Sequence, residues 1–182
     1  MVDFEAAAFE AVEAASLNGE VMDQDRFEEV LGWCGRITAP FLLAEAWDTG
    51  VVGAAEVASC VGSVWSGSEF PDSALGHPRW RELFQAAGFT RDGEPAERPD
   101  QPLELWRGTV PERCRDWSWS TDRTLAERYA NGGFRRPTGR LYRVVAPPAT
   151  LLAAYNGRAE SEYVIDTHGL DIMEWRSAGE AD

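Results

Sequence analysis

The sequence predicts an α+β protein, with a helical N-terminal half followed by a mostly antiparallel β half. Three observations predict it. Over the first ninety positions, apolar residues recur at helical spacing on an acidic background. A polar, proline-bearing stretch, RDGEPAERPDQP at 91–102, then breaks the pattern. Beyond it come short runs of β-branched and aromatic residues bounded by turn chemistry.

The elements follow in order. Segment 3–17 has apolar residues around an acidic face. Segment 24–47 places Phe27, Val30, Leu31 and Cys34 at helical spacing, and Pro40 predicts a kink or split within it. Thr49 is a candidate cap for a third, small-residue helix running to about Trp65. SGSEFPDSALGHP is turn chemistry. Pro78 then sits in the first turn of a helix, PRWRELFQAAG, closed by Gly88. Strands are expected at 103–108 (LELWRG), 115–120 (RDWSWS), 139–146 (GRLYRVVA), 150–155 (TLLAAY), 162–167 (EYVIDT) and 171–175 (DIMEW). A helix over about 122–131 interrupts them, with Thr121 or Ser120 as its N-cap. There are no internal repeats. The expected organisation is an acidic helical part with its connector, 1–102, and a β-rich core, 103–182, read as one compact domain.

Composition narrows the function classes. The chain has 182 residues, enough to bury a real core, and eight tryptophans. All seventeen basic residues are arginine, as a GC-rich genome would produce. Residues 1–104 carry 20 acids and 6 arginines, whereas residues 105–182 carry 11 of each. The acidic half disfavours binding to nucleic-acid backbones. The arginine-rich half suits a small anionic ligand. Cys34, Cys60 and Cys114 are widely spaced and form no CxxC, and His77 and His168 are the only histidines, so neither a disulfide framework nor a metal site is expected. No apolar run is long enough to span a bilayer. The first residues lack a basic region and cleavage site, so the expected location is cytoplasmic.

Four patterns in the β half bear on chemistry. In LELWRGT, alternation puts Leu103, Leu105 and Arg107 on one strand face, so a guanidinium continues an apolar row and calls for an anionic partner. In RDWSWST, Ser118 and Ser120 share a face while Trp117 and Trp119 take the other. NGGFRRPTG, 131–139, holds Phe134, able to stack on a flat ring, beside Arg135 and Arg136, able to meet a phosphate. RAESEYVID, 158–166, sets Glu160 and Glu162 to face a common space if the chain is extended there. Each pattern alone also fits a plain strand or loop.

Their order is more telling. An arginine closes a first strand. S-x-S then leads into a helix with Ala126 six residues after the second serine, and E-x-E opens a late strand. This constellation, over about 103–175, resembles the R-S-E class of mono-ADP-ribosyltransferases. The resemblance implies a split β-sandwich preceded by helices, with NAD as co-substrate and no metal. It implies that Arg107 binds a phosphate of NAD and props up the site, while the backbone of Gly108 meets the nicotinamide amide. Ser118 matches the serine that orients the catalytic glutamate, and Ser120 the last serine of the motif. Trp119 stands where the family has threonine, a departure expected to alter packing. Glu162 matches the catalytic glutamate and Glu160 the upstream one. Phe134 with Arg135 or Arg136 falls in the loop that clamps nicotinamide and phosphate. Tyr155 falls on the acceptor side.

The chemistry explains why two carboxylates would be needed. The nicotinamide of NAD is already cationic, so cleaving its N-glycosidic bond requires stabilising an oxocarbenium-like ribose rather than a general acid. Glu162 is assigned that role. Glu160 would deprotonate or orient the acceptor. A glutamate at the upstream position goes, by resemblance, with arginine-modifying members and with strong NAD hydrolysis. The expected partners are NAD and a protein acceptor, with an immunity or regulatory protein as a further candidate and no membrane. Two readings stand beside transfer: an NAD glycohydrolase that depletes NAD, as a toxin or defence enzyme would, and a non-catalytic binding module.

Overall fold

A computed structural model describes residues 3–156 and 161–176. It contains seven α-helices and eight strands among the described residues, and the chain divides into two units, 1–97 and 98–182.

The first unit is helical: α1 (Phe4–Asn18), α2 (Gln24–Leu31), α3 (Ala39–Asp48), α4 (Ala54–Gly67), α5 (Pro71–Ala74) and α6 (His77–Ala87). Asp3 and Asp23 cap α1 and α2, each accepting a backbone N–H with a side-chain oxygen, which satisfies a donor the helix cannot. The stretch 24–47 is split into α2 and α3 rather than kinked, and Pro40 lies in the first turn of α3, where its missing N–H costs nothing. Thr49 closes α3 instead of opening α4. The start of α4 is held by Glu56, whose carboxylate accepts the Gly53 N–H at 2.9 Å. The core of this unit is aromatic. Trp65 meets Trp80 edge-on at 5.0 Å and Phe84 at 5.8 Å, and the Trp80 indole N–H donates to Pro71 O at 2.7 Å.

The stretch expected to be a plain connector begins with a hairpin, β1 (Thr90–Arg91) and β2 (Glu94–Pro95). Its turn is Asp92–Gly93, both at positive φ (52° and 86°), the two-residue geometry that matches strand twist. Gly93 lies so near α4 that a Cβ there would come 2.6 Å from Ser59 O.

The second unit holds β3 (Leu103–Thr109), β4 (Ser118–Ser120), α7 (Arg123–Ala130), β5 (Arg140–Ala146), β6 (Leu151–Tyr155), β7 (Glu162–Ile165) and β8 (Met173–Trp175). The strands lie in the open order β6-β7-β4-β3-β5-β8, each neighbouring pair antiparallel. Every strand expected from the sequence is present, several of them shorter. The α7 cap is Asp122, one residue beyond the expected Thr121 and two beyond Ser120; its carboxylate accepts the Leu125 N–H at 3.0 Å. Leu105, Val144, Ala146, Trp117, Trp119 and Ile165 are buried, so aliphatic and indole side chains make this unit's core. No helix among the described residues is long and apolar enough to cross a membrane.

Candidate active site

Strand register builds the site. Residues paired across a ladder project from the same sheet face. Met173 pairs with Arg143, Arg143 with Trp106, Trp106 with Ser120, Ser120 with Glu162, and Glu162 with Tyr155. Six strands therefore contribute one continuous row on one face. At a strand spacing of about 4.8 Å, Glu162 stands about 5 Å from its neighbours Ser120 and Tyr155 and about 10 Å from Trp106.

Within this row Glu162 is buried, with a relative exposure of 8%, and Ser120 is buried beside it. Glu162 is the only buried side chain of formal charge among the described residues. A carboxylate removed from water is costly unless polar groups compensate it, so such a residue is rarely incidental. Ser120 Oγ accepts the Asp122 N–H at 2.9 Å, which ties the end of β4 to the start of α7. Ser120, rather than Ser118, is thus the serine directly opposite Glu162. Ser118 lies two residues along on the same face, opposite Val164.

Arg107 occupies a different position. It pairs with Tyr142, so its side chain leaves from the reverse face, in the row of Leu105 that alternation predicts. Its guanidinium then turns to the strand edge. Nε donates to Arg113 O at 3.1 Å, one terminal nitrogen donates to Ser118 O, and the other meets Asp116 Oδ2 at 3.0 Å. Arg113 shares that carboxylate through its own Nε at 2.7 Å. The β3–β4 ladder holds the single pair Trp106–Ser120, and Arg107 takes over as the link between the strands beyond it. Only 13% of the Arg107 side chain is exposed, so this is a brace in low-dielectric surroundings and not a surface ion pair. Its partner Asp116 was not singled out from sequence. The Arg113–Asp116 spacing across a short turn is the signal that would have found it. Tyr142, opposite Arg107, has its phenol pushed up, mainly by burial.

Gly108 is required by packing. A Cβ there would fall 1.9 Å from Ala126 O and 2.4 Å from Ala130 N, so α7 lies directly on β3 at this residue. The Phe134 loop is wound tightly against α7. Phe134 and Arg135 both adopt positive φ, 57° and 59°. The Phe134 ring meets Tyr129 at 4.7 Å with the rings tilted by 36° and lies under the Arg128 guanidinium at 4.7 Å, yet half of the residue stays exposed. Arg135 and Arg136 are exposed in the same loop.

At the E-x-E motif the strand begins only at Glu162. Ser161 has φ 45°, so the extended geometry assumed for a shared face does not run back through it. Glu160 lies outside the described residues. Among the described residues no group of three or more His, Cys, Asp or Glu gathers as metal ligands. The Cys60 thiol in α4 is pushed up to about 12, mainly by burial, which keeps it protonated and unreactive at neutral pH.

Comparisons with protein-family models, curated proteins and solved structures find no match for the chain.

Proposed function

We propose that the chain is an NAD-dependent mono-ADP-ribosyltransferase that cleaves the nicotinamide N-glycosidic bond and passes ADP-ribose to a protein acceptor, with arginine as the candidate acceptor side chain. The observation that carries the reading is the buried carboxylate of Glu162 in register with Ser120 on one sheet face. The order of the arginine, S-x-S and E-x-E motifs along the chain supports the same assignment.

In this reading Glu162 accepts a hydrogen bond from the ribose 2′-hydroxyl and faces the positive charge developing at C1′. The C1′–N bond breaks, its electron pair neutralises the pyridinium ring, and nicotinamide leaves without a proton. The acceptor nitrogen attacks C1′ and gives up its proton to Glu160. Ser120 and Ser118 line the same face as hydroxyl donors. Arg107 acts as the prop of the site, since its guanidinium holds the β4 backbone at Ser118. The exposed Arg135 and Arg136 are the candidates to meet the pyrophosphate, with Phe134 against the nicotinamide ring.

The test is incubation of the full chain with NAD labelled in the adenylate moiety, with and without a cell lysate, scoring nicotinamide release and labelled protein together. Release with labelled bands, both lost in Glu162→Gln, is the expected result. Release without bands makes the protein an NAD glycohydrolase. Absence of release sinks the enzyme reading and leaves a binding module. Glu160→Gln separates the two carboxylate roles, because transfer should fall while hydrolysis persists.

A further inference from the structure

We infer that Arg123 is a further ligand-binding residue of the proposed site, its guanidinium contacting a phosphate of the dinucleotide; this rests on the reading of Glu162 as the group that faces the ribose. The resemblance gives a phosphate to Arg107. That side chain, however, leaves the sheet on the face opposite Glu162, and its guanidinium is committed to Arg113 O, Ser118 O and Asp116. The Glu162 face carries another guanidinium. Arg123 opens α7, and its guanidinium carbon lies 5.1 Å from the Trp106 ring centroid and 5.2 Å from that of Trp175. Trp106 belongs to the row of Glu162, with Ser120 between them. Trp175 pairs with Leu141 and Leu141 with Gly108, two residues along β3 from Trp106, so both indoles rise from that same face.

Placement, orientation and spare donors all suit a phosphate. Trp106 stands about 10 Å from Glu162 across the strands, so a guanidinium over its ring is within an extended dinucleotide's length of that carboxylate. A ligand whose ribose C1′ faces Glu162 carries its 5′-phosphate on the far side of the sugar ring, and the diphosphate extends beyond. The two indoles meet edge-on at 5.3 Å, and the guanidinium lies over both, which fixes its plane before any ligand arrives. Among the described residues its only polar partner is Glu127, with Nε donating to Oε1 at 2.8 Å. One carboxylate takes at most two of the five guanidinium N–H donors, so at least three remain. The Arg123 side chain is 43% exposed, which leaves it within reach of a ligand and makes the pair with Glu127 a weak one. The adjacent Asp122 carboxylate is occupied by the Leu125 N–H.

The experiment titrates ADP-ribose into the full chain by calorimetry, a readout that needs no turnover, and measures nicotinamide release beside it. Arg123→Met keeps an apolar cover on the indoles without the charge, and Arg123→Gln keeps polarity without it. Arg26→Gln, in the helical unit, controls for net charge. Both Arg123 variants are expected to weaken ADP-ribose about tenfold or more, and to raise KM for NAD alike with kcat within about twofold. The control should stay within about twofold of wild type. An unchanged urea midpoint shows that the methionine variant is folded, and the glutamine variant serves if it is not. Added salt should weaken ADP-ribose binding less steeply in the variants than in wild type. Unchanged ADP-ribose affinity in a folded Arg123 variant would overturn the inference. So would an equal loss in Arg26→Gln, or a fall in kcat at unchanged KM, which would make Arg123 a support for the fold. A wild-type protein that binds ADP-ribose but releases no nicotinamide refutes the transferase reading alone, and the affinity series still decides the role of Arg123. A wild-type protein that does neither overturns both.

Discussion

The two units bury different things. The helical unit buries aliphatic and aromatic side chains with Ser68 and Thr90, and its carboxylates, none of them buried among the described residues, serve caps and ion pairs. The β-rich unit likewise buries a serine, a threonine and indoles, but adds the buried carboxylate of Glu162 and spends a nearly enclosed guanidinium on holding two strands. Apolar burial accounts for why a chain folds. A buried charge costs free energy and needs a further reason, and in the second unit the buried Glu162 lies beside the buried Ser120 in one row of one sheet. The first unit is explained by packing, and the second is where chemistry must be sought.

Four substitutions bear on that contrast. Trp80→Ala removes the centre of the helical unit's aromatic cluster together with the bond to Pro71 O, and should destabilise by about 3–5 kcal/mol in urea unfolding. A near-neutral result would mean that the cluster is not what holds that unit. Glu162→Gln should lower nicotinamide release about a hundredfold or more while leaving the far-ultraviolet spectrum unchanged. Undiminished release would show that the buried carboxylate is not catalytic, a collapsed spectrum that it is structural, and either would dissolve the contrast. Gly108→Ala forces α7 off β3 and should cost about 1–3 kcal/mol, read as a lower urea midpoint.

The smallest effect concerns pH. Arg140 donates to Glu174 at 2.6 Å and holds that carboxyl below its usual value, chiefly through this hydrogen bond. A depressed carboxyl pKa favours the folded state above the ordinary carboxylate range, and the benefit fades as acid titrates the folded group. Both side chains are exposed, so Arg140→Gln should only slightly flatten the acid side of the melting-temperature profile. A change as large as that of Gly108→Ala would show that this strand edge matters far more than its exposure implies.

Much of the fold was legible because periodicity reports which face is buried. Segment 3–17 reads as α1, and the LELWRG and GRLYRVVA runs read as β3 and β5, since alternation or helical spacing is what burial selects. Helix ends were less legible. Pro40 reads equally as a break or as a first-turn residue, and only the loop at 32–38 decides between them. The β1–β2 hairpin was hidden by the prolines and charges around its Asp-Gly turn, although that dipeptide is itself the strongest short-range hairpin signal. In the site, the residue types were readable but the register was not. Whether Ser118 or Ser120 faces Glu162 depends on a two-residue offset between strands far apart in sequence. The left-handed turn at Ser161 had no signature either, because serine does not announce positive φ as glycine does.

The strand order has a consequence for how the molecule comes into being. Neighbours in the sheet are often distant in the chain: β3 waits for β5, and β4 waits for β7. The helices of the first unit need only local contacts and can form on a nascent chain as it emerges, whereas the central ladders close late because long loops must be gathered first. Ser120 therefore leaves the ribosome well before the carboxylate it will face, and any fragment that ends ahead of β7 is born without the buried Glu162–Ser120 pair.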